Sequence, residues 1–178
     1  MMEVAPALQL AAARHALGTL KSWEVVDLAN QVATPTEITI AVASLSTLRE
    51  PDFSEVRPLF LEWIAEAHVA MPTREEAIRT LLIHFIRQLA GGAAAPRSTL
   101  ENLMNEVYFP GGLHALSKNY AGDSHGIERF IALYYEYDDI EERPGAVTLD
   151  GMSGGAALST LDARALKLAR EWRPPWGA

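Results

Sequence analysis

Apolar residues recur at intervals of three and four along most of this chain, and helix start and stop signals interrupt them about every twenty positions. A first helix is predicted from about Pro6 to Leu17, closed by Gly18, which enters the left-handed conformation without a Cβ clash. Ser22 caps a second over Trp23–Ala33, with Trp23, Val26 and Ala29 or Asn30 returning at helical spacing. Thr34-Pro35-Thr36-Glu37 combines a capping box with proline in the first turn, and opens a segment from Glu37 to Leu48. That segment is rich in Ile, Val and Thr, so residues 37–42 read as helix or as strand.

Asp52 or Ser54 begins a fourth helix, whose broad apolar face comprises Val56, Leu59, Phe60, Trp63, Ile64 and Ala67. With Asp52 as cap, Pro58 falls past the first turn and removes a backbone bond. Thr73-Arg74-Glu75-Glu76 is a further capping box, followed by Ile78, Leu81, Leu82, Phe85, Ile86 and Leu89 up to Gly91-Gly92. Ser98 with Glu101 starts a sixth helix carrying Leu100, Leu103, Met104 and Val107, and Phe109-Pro110-Gly111-Gly112 ends it. A short helix over Leu113–Asn119 precedes a loop ending in an N-cap at Asp123 or Ser124. From there to about Glu142 runs a helix with Ile127, Phe130, Ile131, Tyr134 and Tyr135 inward. Residues 146–149 suit a short extended piece, and a last helix from Thr160 to Trp172 buries Leu161, Ala165, Leu166, Leu168 and Ala169. Trp23 and Trp63 read as core, and Trp172 and Trp176 as docking onto the body of the domain. The pattern therefore predicts an all-α fold of seven to nine helices, packed as consecutive antiparallel pairs in one domain spanning 1–178.

Composition narrows the chemistry. With no cysteine, the chain has no disulfide framework, thiolate metal site or cysteine nucleophile. At 178 residues and 49% hydrophobic content it buries a sizeable core without them. The N-terminus MMEVAPALQL lacks the basic region and unbroken apolar stretch of a secretory signal, which makes the cytoplasm the expected compartment. No run is apolar enough for a membrane helix. The net charge of −8, concentrated between residues 101 and 150, opposes association with nucleic acid and anionic membranes. No cofactor-binding motif is present, and no metal is expected.

Four features bear on chemistry. His125 and Glu128, three apart at a helix start, would suit a metal-assisted hydrolase, although the commoner role of Asp123, Ser124 and His125 is to start a helix. Phe109-Pro110-Gly111-Gly112 lacks the Lys-Ser/Thr of a nucleotide loop and reads as a rigid link. His15, His68 and His84 each lack a second ligand at helical spacing. Glu136, Asp138, Asp139, Glu141 and Glu142 crowd the end of the penultimate helix, where negative charge opposes the helix dipole. Of Tyr134, Tyr135 and Tyr137 at least one must reach the surface, since successive helical residues are about 100° apart. This acidic, tyrosine-rich end, with Tyr134, Tyr137 and the five carboxylates as contacts, is the expected docking site for a basic protein partner. Metal-assisted hydrolysis at His125 and Glu128, or at the acids near Asp138, is the alternative function.

The stretch Asp52–Gly92, with Glu55-Val56-Arg57-Pro58-Leu59-Phe60 and Pro72-Thr73-Arg74-Glu75-Glu76-Ala77, resembles small helical bacterial proteins of unassigned function over about a quarter of the chain. The resemblance implies an accessory protein, such as an immunity or antitoxin-like factor.

Overall fold

In a computed structural model, residues 4–32, 39–92, 94–116, 125–143, 145–148 and 150–176 are described. Their fold is all-α, as the pattern predicts: α1 (Val4–Leu17), α2 (Ser22–Val32), α3 (Ile40–Ser46), α4 (Phe53–Glu66), α5 (Arg74–Gly91), α6 (Pro96–Leu103), α7 (Leu113–Leu116), α8 (Glu128–Glu142) and α9 (Gly154–Glu171). The chain gathers into two compact units, Met1–Thr80 and Leu81–Ala178, with the division inside α5. Among the described residues no helix is long and apolar enough to cross a membrane.

In the first unit α2, α3 and α4 pack on one another in a triangle, with α1 against α2. The core joins Leu8 and Ala12 of α1 to Val25 and Ala29 of α2, Val42 and Leu45 of α3, and Val56, Phe60, Trp63 and Ile64 of α4. The caps explain where these helices begin and end. Gly18, at φ +74°, lets its own N–H reach the His15 carbonyl and that of Thr19 reach Arg14, so the last carbonyls of α1 are satisfied. Thr39 caps α3 through its hydroxyl, which accepts from the Val42 N–H. Residues 40–42 are therefore helical, while the Thr34–Glu37 boundary lies outside the described residues. Asp52 caps α4 by accepting from the Ser54 N–H, so Pro58 stands inside the helix and cannot donate to the Ser54 carbonyl. The predicted capping box at α5 is complete: Thr73 N–H donates to Glu76 Oε2 at 2.8 Å and Glu76 N–H to Thr73 Oγ1 at 3.3 Å.

Two core expectations in this unit fail. Trp23 is 53% exposed, because Val25 and Val26 rather than Trp23 face the core and the indole instead lies beside Lys21 Nζ at 5.8 Å. Ala67 is exposed because α4 stops at Glu66, and the next turn falls off the apolar face.

In the second unit α6, α8 and α9 form a corresponding triangle. α6 starts at Pro96, two residues before the predicted Ser98 cap, because proline at the first helical position needs no partner for a missing N–H; Ser98 and Thr99 turn their hydroxyls back to the Ala95 carbonyl. Leu100, Leu103, Met104 and Val107 are buried as predicted. The helix then widens into a π turn over Met104–Tyr108, in which Phe109 N–H reaches back to the Met104 carbonyl. Pro110 cannot supply the next bond of the α ladder, and Gly112, at φ +70°, turns the chain into α7.

α9 begins at Gly154, six residues before the predicted Thr160, and places Ala157, Leu161, Ala165 and Ala169 inward. Leu166 and Leu168 are only half-buried, correcting their assignment to the core. The expected extended piece is reduced to one antiparallel bridge, Val147 to Ser153, leading into α9.

Candidate functional site

The acidic end of α8 is built by helix register. Phe130, Ile131, Leu133 and Tyr137 face the interior of the second unit, which sends Tyr135 outward at 49% exposure and leaves Tyr134 half-buried at the edge. This reverses two expectations. The apolar pattern predicts Tyr135 inward, and it is the exposed ring; it predicts Tyr137 among the contacts, and Tyr137 is 1% exposed. The hydroxyl of Tyr137 donates to Asp162 Oδ1 of α9 at 2.6 Å. Burial first, and then this hydrogen bond, push its phenol well above the ordinary tyrosine range.

Most of the carboxylates that crowd this helix end are occupied. Arg97 of α6 forms an ion pair with Asp138, places Nε 3.4 Å from Glu141, and lies over the Tyr134 ring with its guanidinium carbon 4.8 Å from the centroid. Arg164 of α9 meets both carboxylate oxygens of Glu136 through Nη1, at 3.1 and 2.9 Å. Arg143 pairs with Asp139 at 3.4 Å in an exposed contact one turn further on. The unfavourable placement of these acids against the helix dipole is thus offset by guanidinium groups from α6 and α9. Neither Arg97 nor Arg164 is signalled locally in sequence, since they stand 41 and 28 positions from their partners.

What remains open to solvent is a narrower face. Tyr135, Asp139 and Glu142 follow at intervals of four and three, so they share one side of α8, and all three are exposed. The Tyr134 ring meets Tyr135 edge-on at 5.3 Å, a favourable aromatic geometry. Glu136 and Asp138 are turned toward their arginines and only partly exposed, Glu141 is exposed beside Arg97, and Tyr137 is withdrawn entirely.

The other constellations serve the frame. His125 meets Trp176 edge-on at 5.8 Å, Trp176 meets Trp172 at 6.0 Å, and Trp172 Nε1 donates to the Gly126 carbonyl at 3.0 Å. The C-terminal tryptophans therefore dock, as expected, against the turn that precedes α8. Gly126 holds φ +66°, and a Cβ there would stand 3.6 Å from Trp172 Nε1 and 3.7 Å from Pro175. The expected caps Asp123 and Ser124 lie outside the described residues, and Ile127 occupies the cap position of α8 without a side-chain bond. Gly111 N–H donates to the Val107 carbonyl at 2.7 Å and Gly112 N–H to Phe109 at 3.0 Å, so these amides close the turn rather than face a ligand. Among the described residues no three His, Asp or Glu side chains converge closely enough to hold a metal ion.

His15, in the first unit, packs between Phe53 and Phe60 with ring centroids at 6.2 and 5.6 Å. Burial, with the charge of Arg57 added, holds its pKa below that of an ordinary histidine. Comparison with known proteins yields no match to a family model, a curated protein or a solved structure, so a functional reading has to rest on these residues alone.

Proposed function

We propose that this chain is a cytosolic binding protein that engages a basic protein partner through the outer face of α8. The observation that carries the reading is Tyr135, 49% exposed, standing in register with the exposed carboxylates Asp139 and Glu142. An exposed tyrosine supplies rigid contact area at little entropic cost, and neighbouring carboxylates accelerate encounter with a cationic surface. The ion pairs of Arg97 and Arg164 hold α8 against α6 and α9, so the face is presented on a fixed element. An immunity or antitoxin-like factor that neutralises a basic toxin is the form of this reading suggested by the Asp52–Gly92 resemblance.

The test is affinity capture from the source cell with the intact chain and with a Tyr135→Ala, Asp139→Asn, Glu142→Gln variant. Capture of one basic protein by the intact chain, lost in the variant and weakened by salt, is the expected result. Capture indifferent to these substitutions in a folded variant, or no capture at all, overturns it.

A further inference from the structure

A groove of about 360 Å³ opens between α8 and α9, within the second unit, round the helix from the Tyr135 face. Arg129, Arg164 and Lys167 line it with a single carboxylate, Glu171, and Leu133 and Leu168 contribute apolar wall. Leu133 is 1% exposed, so it offers the groove a fixed apolar surface rather than a mobile side chain.

The charges here are arranged differently from those elsewhere on α8. At the acidic end of the helix every arginine described has a carboxylate partner: Arg97 has Asp138 and Glu141, and Arg143 has Asp139. Arg164, which also lines the groove, is likewise held by Glu136. Arg129 and Lys167 have no ion pair among the described residues, yet both face the same space as Arg164. A chain of net charge −8 does not gather small anions by its overall field, so an anion binds only where cations are brought together locally. Two guanidinium forks and an ammonium group match the oxygens of a phosphate or carboxylate, and the leucines match an apolar body attached to it. The volume lies in the range of small-molecule sites.

We infer that the α8–α9 groove binds a small organic anion, a phosphate or carboxylate carried on a compact apolar group, with Arg129 and Lys167 as its principal charge contacts. Arg164, already bound to Glu136, orients the head group, and Glu171 accepts from any hydroxyl near it. This inference is independent of the protein partner proposed above, because none of its residues belongs to the Tyr135, Asp139 and Glu142 face.

Phenyl phosphate is the probe, with inorganic phosphate and phenol as its two halves, followed by amide NMR shifts of the full chain. The expected result is saturable shifts at 129–133 and 164–171, half-maximal below about 1 mM, with each half binding at least tenfold more weakly. An Arg129→Gln, Lys167→Gln variant, altered only at exposed positions, loses at least tenfold in affinity with an otherwise unchanged spectrum. The Tyr135→Ala, Asp139→Asn, Glu142→Gln variant binds the probe as the parent does. Shifts that fail to saturate, that spread over lysines and arginines elsewhere, or that survive the Arg129 and Lys167 changes overturn the inference. If benzoate saturates the groove and phenyl phosphate does not, the head group is a carboxylate and the inference stands in that form.

Discussion

Tyr137→Phe isolates one of the polar contacts that join α8 to α9, another being Arg164 with Glu136. The substitution removes one oxygen from a side chain that is 1% exposed and leaves the ring in place, so packing is conserved and only the 2.6 Å bond to Asp162 is lost. Hydrogen bonds to charged groups contribute about 1.5–3 kcal/mol, and Asp162, being only partly buried, regains water when the phenol leaves. A loss of about 1–2 kcal/mol at pH 8 follows. The pH dependence sharpens the expectation. The folded phenol holds its proton well above the ordinary range, whereas in the unfolded chain it titrates near pH ~10. Stability tied to that proton is complete below pH ~10 and drains as pH rises toward the folded value, by about 1.4 kcal/mol one unit above the unfolded pKa. Phenylalanine has no such proton, so the gap between parent and variant closes near pH ~11. Urea denaturation followed by circular dichroism at pH 8 and 11 measures both gaps. Equal stability at pH 8, or a gap unchanged at pH 11, refutes the account of Tyr137 as a buried, hydrogen-bonded phenol.

Arg97→Leu should cost about 1–3 kcal/mol in urea denaturation, since Asp138 and Glu141 lose their cation at a half-buried position, and a change under about 0.5 kcal/mol would show the pairing to be inert. Thr73→Ala removes the hydroxyl that accepts from the Glu76 N–H, while the backbone N–H at position 73 still donates to Glu76, and should lower stability by about 1 kcal/mol, measured the same way. Pro58→Ala, at an exposed position inside α4, restores a donor for the Ser54 carbonyl and should raise the thermal midpoint; a lower midpoint would mean that the helix depends on the proline. Because the folded pKa of His15 is lowered, its contribution is present above the unfolded value near 6.5 and is lost as pH falls through the folded one. A His15→Gln variant should therefore lose less stability than the parent between pH 7 and 5, and parallel pH profiles would exclude this role.

The helices themselves were legible in sequence because their signals are local. A cap and its partner lie within three residues, as in Thr73 and Glu76, and an apolar stripe such as Ile78 to Leu89 repeats within one element. Boundaries failed where two local signals competed. Proline at 96 outranked serine at 98, and α9 began at Gly154 because the bridge at Ser153 delivered the chain into the helix ahead of the apolar stripe. Trp23 shares its helical spacing with Val26 and Ala29, but spacing does not fix the rotation of α2 in the packing, which buries Val25, Val26, Ala29 and Val32 and leaves the indole outside.

Sequence by itself determined that the second half of the chain would be acidic, that Tyr134, Tyr135 and Tyr137 could not all be buried, and that carboxylates would crowd one helix end. Which tyrosine is exposed, and which carboxylate is neutralised, depends on residues 25 to 41 positions away: Asp162, Arg164 and Arg97. Periodicity fixes the angle between neighbours on one helix but not the rotation of that helix against others, and a few tens of degrees separate a buried Tyr137 from an exposed one. The groove between α8 and α9 has the same origin. Arg129 and Lys167 are unremarkable in their own segments, and only the packing of one helix on the other brings their charges to a common space.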